Sequence, residues 1–194
     1  MSIKRPSKSK YDENTRLDKR PLVFYDSEFS GLDYNHEIME IGCVVVSPKD
    51  LKIIKKWKVR VKPAHIENAD KNALNIFGYS ENKWKNAISL KEAIKEFDKI
   101  AKNSVIIGFN SNIDFMFLRK AYFECGLKPS FHWQVLDVLP MAFVLLRNKG
   151  LKGFRMTELV RILGIRQRKW HDALEDAMAT FDIYKKLLKI RGNG

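Results

Sequence analysis

The sequence predicts an α/β fold in which a mixed five-stranded sheet is flanked by helices. Three observations predict it. Three β-rich runs follow one another, at residues 22–26, 38–46 and 53–61. The last two are joined by Ser47-Pro-Lys-Asp, a turn-forming sequence that makes them an antiparallel hairpin. Two further short apolar runs, 104–109 and 135–138, then alternate with segments of helical periodicity. Strands followed by alternating helix and strand stack as layers, with the functional groups gathered at strand ends and adjoining helix starts.

Each element has its own local cause. Residues 22–28, Leu-Val-Phe-Tyr-Asp-Ser-Glu, read as a buried strand ending in a loop. After a loop through Pro63, Leu90, Ala93, Ile94, Phe97 and Ile100 recur at helical spacing. The run 104–109 is a short buried strand, and a helix from about Ile113 to Cys125 stops at Gly126. A last strand at 135–138 precedes helices near 140–147, 156–163 and 173–190.

At 194 residues the chain is long enough for one complete core and short for two. The domain is expected to span 20–190, between a flexible basic tail at 1–19 and a flexible end at 191–194. The tail is polar and almost free of apolar residues, a composition that cannot offset its ordering entropy. Its Lys4, Arg5, Lys8 and Lys10 precede no apolar segment, so a cytoplasmic location is expected, and the apolar stretch around Met141–Leu146 is too short to cross a bilayer. Cys43 and Cys125 read as thiols rather than a disulfide framework. The 36 basic and 23 acidic residues give a net charge of +13, which attracts polyanions, nucleic acid foremost. No basic amphipathic helix concentrates that charge as a membrane-surface binder would.

Asp26 and Glu28 lie one residue apart on the first strand, so both carboxylates point to one face and Ser27 to the other. Held a few ångströms apart, they repel unless a divalent cation lies between them. An acidic strand end facing solvent is the bland reading of the pair in isolation. Asp114 stands at a helix start directly after a strand, where helix-dipole stabilisation is its ordinary role. Asn110 and Asn112 have turn roles there. His171-Asp-Ala-Leu-Glu-Asp176 opens the last helix. Asp172 and Glu175 fit an acidic capping box, whereas Asp176 is not needed for it. His171 must lie in the preceding loop if it shares a site with Asp176, because five helical residues would rotate the two apart. His36, His65 and His132 read as structural.

These residues together carry a resemblance. Asp26-Ser-Glu28, then Asn110 with Asp114, then His171 with Asp176, resemble in that order the three motifs of the DEDDh family of 3′-5′ exonucleases. That family has a ribonuclease H-like fold and includes the DNA polymerase III epsilon subunit, ribonuclease T and oligoribonuclease. Gly31-Leu32, Glu37-Ile-Met-Glu-Ile-Gly42 and Gly108 match as well. Phe29-Ser30 replaces a Thr-rich stretch, Phe109 a histidine and Ile113 a phenylalanine of the usual pattern, changes that bear on substrate preference and remove no acid.

The resemblance implies a catalytic set of Asp26, Glu28, Asp114, His171 and Asp176. Two ions, Mg²⁺ or Mn²⁺, would be held by Asp26, Glu28 and Asp176, with Asp26 bridging and Asp114 acting through water. His171 would be the general base, and nucleoside 5′-monophosphates would leave the 3′ end of DNA or RNA. Ser30, Gly31, Leu32 and Asn110 would contact the terminal nucleotide. Phe77 reads equally as a stacking or a core residue, and Arg166, Arg168 and Lys169 as phosphate contacts or a solvated loop. The expected partner is nucleic acid with a free, single-stranded 3′ end; a polymerase or a second copy of the chain is a further candidate. The rival readings are a non-catalytic nucleic-acid-binding module and a proofreading subunit acting through a polymerase.

Overall fold

The computed structural model describes residues 16–166 and 169–191. Most of the sequence-predicted tail (1–15), the end at 192–194 and Arg168 lie outside the described residues. Leu17–Lys19 forms a single 3₁₀ turn leading into the sheet. The strands are β1 (Leu22–Phe29), β2 (Ile38–Val46), β3 (Ile53–Arg60), β4 (Val105–Gly108) and β5 (Val135–Asp137). The helices are α1 (Lys71–Phe77), α2 (Glu81–Trp84), α3 (Leu90–Ile100), α4 (Asn112–Glu124), α5 (Val138–Leu146), α6 (Met156–Ile162) and α7 (Ala173–Arg191).

The sheet order is β3-β2-β1-β4-β5. β1 pairs antiparallel with β2 and parallel with β4, so the two hairpins of the first half and the parallel half meet at β1. The alternation of β1 separates two cores. Val23 and Tyr25, with Ile41, Cys43 and Val45 of β2, join Phe97 of α3 and Phe117 and Leu118 of α4. Phe24, with Val44 and Val46, joins Val138 and Ala142 of α5, Leu159 of α6, and Ala177 and Phe181 of α7. Both faces are therefore covered, and every residue of β2 is buried, as its continuous apolar run requires. Cys43 is buried, Cys125 half-buried, and both thiols are free.

Three differences from the sequence expectation have local causes. β1 does not end at Asp26 but continues through Phe29, because Ser27 pairs with Ile41 and Glu28 with Glu40 before a register shift. The stretch after Pro63 contains α1 and α2. Asp70 caps α1 by accepting the Asn72 N–H, Gly78 closes it at φ 70°, and Ser80 caps α2. Val138 belongs to α5 rather than β5, since Asp137 accepts the Leu139 N–H as an N-cap. Pro140 then falls in the first turn, where its missing N–H removes no intrahelical bond.

α7 approaches β2 closely at Gly42. A Cβ added to Gly42 would lie 2.2 Å from the Ala173 carbonyl carbon and 2.3 Å from the Leu174 nitrogen. Ala173 and Ala177, small as the sequence suggested, supply the helix side of that contact and are fully buried. Gly42→Ala forces backbone against backbone, an overpacking that destabilises by about 1–3 kcal/mol. Thermal unfolding of this variant is expected about 2–12 °C below the parent; an unchanged melting temperature would contradict the contact.

Candidate metal centre and active site

Asp26, Glu28 and Asp176 converge where α7 starts over the end of β1. Each can offer a carboxylate oxygen such that all three oxygens lie within 4.8 Å of one another. Asp26 and Glu28 are half-buried and Asp176 is buried. Asp176 Oδ2 accepts the His171 N–H at 2.9 Å, while its Oδ1 is buried without a hydrogen-bond partner. A buried carboxylate with an orphan oxygen, clustered with two further carboxylates, is the arrangement a cation completes. The donors are all hard oxygens, which suit Mg²⁺ or Mn²⁺ better than zinc.

The electrostatics agree. Burial, reinforced by the Asp114 and Asp176 charges, raises the Asp26 carboxyl well above the usual range. Burial and then the Asp176 and Glu40 charges push Glu28 up to about 8. Asp176 rises to about 6 through burial, partly opposed by the His171 N–H. Without a cation, then, these groups hold protons at pH values where ordinary carboxyls are ionised.

Asp114 stands apart from that trio. It also rises to about 6 through burial, against the lowering effect of Ser27. Its Oδ1 accepts both the Ser27 N–H at 2.9 Å and the Ser27 hydroxyl at 2.7 Å. α4 is thereby tied to the middle of Asp26-Ser-Glu28. Asn110, in the turn before α4, adopts φ 49°. Its N–H and that of Ser111 donate to Asp137, whose carboxylate also accepts the Ser111 hydroxyl and caps α5. His171 is exposed, lies in the loop before α7 as its spacing required, and adopts φ 58°. Left-handed backbone at non-glycine residues is uncommon; Leu51 and Asn103 share it in turns away from the site.

The sequence-predicted loop residues divide. Leu32 is 67% exposed at the rim. Ser30 is buried, with its N–H donating to the Glu37 carbonyl, its hydroxyl accepting the Glu37 N–H and its carbonyl accepting the Asp70 N–H. Its polar groups shape the loop. A Cβ on Gly31 would lie 2.4 Å from the His36 ring, so only glycine lets that buried imidazole accept the Asp33 N–H. Phe77 packs on Trp84 with ring centroids 5.6 Å apart. Arg166 and Lys169 are exposed.

Glu40 was given no role from sequence. It is 4% exposed, beside Glu28 in the β1–β2 register. It accepts the Ala173 N–H at 3.2 Å and pairs with Lys58 at 3.6 Å and Arg60 at 3.3 Å. Lys58 reaches on to Asp172 at 2.8 Å, and Asp172 accepts the Glu175 N–H as the capping reading proposed. This network clamps the start of α7, and with it Asp176 and the His171 loop, to the sheet. A lone charge in the apolar run Ile38–Val46 was the available signal.

The family model RNase_T, an exonuclease family, matches residues 23–184. The chain is similar to the PolC-type DNA polymerase III of Caldanaerobacter subterraneus, 30% identical over 87% of this chain and 12% of that protein. It also resembles the DNA polymerase III epsilon subunit of Treponema pallidum, 24% identical over 84% of this chain and 74% of the relative. The chain thus spans about an eighth of the length of its PolC-type relatives. Among solved structures, E. coli exonuclease I in complex with a dT13 oligonucleotide superposes with a TM-score of 0.76 at 20% identity, over 90% of this chain and 42% of that one. That likeness carries the ribonuclease H-like fold, with its mixed five-stranded sheet flanked by helices. With the family match covering most of its length and the three motifs in order, the chain belongs to the RNase_T exonuclease family, as a DEDDh-type member.

Proposed function

We propose that this chain is a divalent-metal-dependent 3′-5′ exonuclease that removes nucleoside 5′-monophosphates from single-stranded nucleic acid. The observation that carries the reading is the trio Asp26, Glu28 and Asp176 around the orphan Asp176 Oδ1. The dT13 bound to E. coli exonuclease I supports a single strand as substrate. The T. pallidum relative, a DNA polymerase III subunit, supports a polymerase as partner. No helix among the described residues is long and apolar enough to cross a membrane.

Asp26, Glu28 and Asp176 would hold the metal, two ions by this reading, with Asp114 contributing from its place beside Ser27. When bound, two such cations neutralise charge on the attacking, leaving and non-bridging oxygens of an in-line displacement. A ring nitrogen of His171 takes the proton of the attacking water. The water oxygen bonds to the phosphorus of the terminal nucleotide, and the bond to the penultimate O3′ breaks, the leaving O3′ taking a proton from solvent. The products are a nucleoside 5′-monophosphate and a strand one nucleotide shorter ending in a 3′ hydroxyl. The left-handed backbone at His171 turns the chain from loop to helix so that its N–H reaches Asp176. Leu32, exposed at the rim, lies against the terminal base, with Gly31 and Asn110 shaping the pocket around it.

The direct test is degradation of matched 5′-labelled single-stranded DNA and RNA with Mg²⁺, Mn²⁺ or EDTA. A metal-dependent ladder shortening from the 3′ end is expected, and Asp26→Asn should abolish it; near-normal turnover by that variant would sink the assignment. His171→Ala should lower kcat by about 10²–10⁴, and a loss confined to KM would exclude it as the base.

Stability should also depend on the cation. Unfolded carboxyls release their protons near pH 4, whereas Asp114 and Asp176 hold theirs to about 6 and Glu28 to about 8 in the fold. The folded state therefore binds more protons across that window, and metal-free stability falls as pH rises through it. Melting in EDTA should drop between pH 5 and 8, Mg²⁺ should reverse the drop, and Glu28→Gln should flatten its part above pH 6. An identical pH slope for parent and Glu28→Gln in EDTA would refute the account.

A further inference from the structure

The outer face of α4 carries a feature that the motifs do not use. Tyr34, Asn112, Phe115, Arg119, Lys120 and Phe123 line an open groove of about 480 Å³. Five of them lie on α4 at the spacing i, i+3, i+7, i+8 and i+11, one face of a single helix. The groove starts at Asn112, on the helix turn that also carries Asp114. Two of its three aromatic residues are bare, Phe123 at 86% and Tyr34 at 72% exposed, and Phe115 is half-buried. Cations are interleaved with them. The Arg119 guanidinium lies 5.9 Å from the Phe115 ring centroid and the Lys120 ammonium 5.6 Å from that of Tyr34. Lys120 also donates to the Tyr34 and His36 carbonyls, which fixes the loop bearing Leu32 and Tyr34 against α4.

We infer that this groove is a subsite for the unpaired strand upstream of the scissile end, with bases stacked on Tyr34, Phe115 and Phe123 and a phosphate against Arg119, while Lys120 holds the loop that carries Tyr34. The inference rests on the exonuclease reading for the position of the 3′ end. Exposed aromatic faces alternating with cations are what a single strand recognises without sequence preference, since every base has a stacking face and every phosphate a charge. An apolar protein partner would leave the exposed Arg119 facing unlike chemistry, whereas a polyanion matches both it and the net charge of +13. The length fits as well. From Asn112 to Phe123 is about 16 Å of helix, which accommodates roughly five stacked nucleotides at about 3.4 Å each. The strand would leave the metal centre along α4, and substrate preference would depend on how much of it is unpaired.

The experiment uses the full chain carrying Asp26→Asn, so that binding is read without turnover. Fluorescence anisotropy with three- and ten-nucleotide single-stranded DNA is compared for that protein and for the same protein with Phe123→Ala, Tyr34→Ala or Arg119→Gln added. The ten-nucleotide strand should bind about 5- to 150-fold more weakly to each aromatic variant, and the three-nucleotide strand almost unchanged. Arg119→Gln should reduce the slope of log K against log salt by about 0.7. Equal losses for both lengths, or none for either, would overturn the subsite. So would sedimentation showing a dimer that Phe123→Ala dissociates, because the groove would then lie between copies of the chain. Shortening by the wild type with variant binding unaltered defeats the subsite alone. Length-dependent binding without shortening defeats the exonuclease reading and leaves the groove standing.

Discussion

The site depends on one close contact, the first turn of α7 lying on β2 at Gly42. No side chain fits between Gly42 and the Ala173 backbone, so the helix start is brought as near to the sheet as covalent structure permits. Glu40 then fastens it by accepting the Ala173 N–H from beneath. Asp176 follows three residues later, on the next part of the same turn. Its distance from Asp26 and Glu28 is thus set by a glycine, an alanine and a buried glutamate that touch none of the reacting groups. A helix lifted by the thickness of a methyl group would leave the sheet carboxylates without their third partner.

That contact also sorts the acids. Glu28 and Glu40 are cross-strand neighbours, and like charges so placed destabilise a sheet unless something answers them. Lys58 and Arg60 answer Glu40, and Lys58 extends to Asp172. Among the described residues, no ion pair reaches Asp26, Glu28 or Asp176. One part of the acidic cluster is therefore compensated by the protein itself and serves as structure, while the other retains its mutual repulsion and its raised proton affinity. Leaving a carboxylate trio uncompensated, with two members half-buried and one buried, is costly in a fold of marginal stability. The cost has a physical reason if a cation joins the trio, and none if the residues serve packing alone.

What was legible in the sequence was what depends on neighbours along the chain. The strands of the first half, the helix at Leu90–Ile100 and the shared face of Asp26 and Glu28 follow from periods of two and 3.6. The loop position of His171 followed from its spacing to Asp176 once the two were taken to share a site. What was not legible depends on residues far apart. Asp114 meets Ser27 across 87 positions, and Glu40 meets Ala173 across 133. Neither partner could be named before the sheet order was known. The short helices α1 and α2 are an intermediate case: Asp70, Gly78 and Ser80 mark their ends in the sequence, but too few apolar residues lie between them to give a periodic signal.

The topology explains why the helices that frame the site both begin there. β1 and β4 run parallel, so the chain leaving β4 turns directly into α4 beside the end of β1, in the crevice where open α/β sheets bind ligands. α7 arrives from the opposite face of the sheet and begins over the same strand end. Asp137 couples the two sides, capping α5 while holding the N–H groups of Asn110 and Ser111. Two helix starts, each carrying partial positive charge, thereby flank a cluster of carboxylates and whatever phosphate approaches it. The two helices differ beyond their first turns. α7 packs against β1 and β2 and positions Asp176, whereas α4 keeps one face toward solvent, on which Arg119 and Phe123 are exposed. The carboxylate cluster is thus bounded by a packed helix on one side and, on the other, by a helix that keeps one face open to solvent.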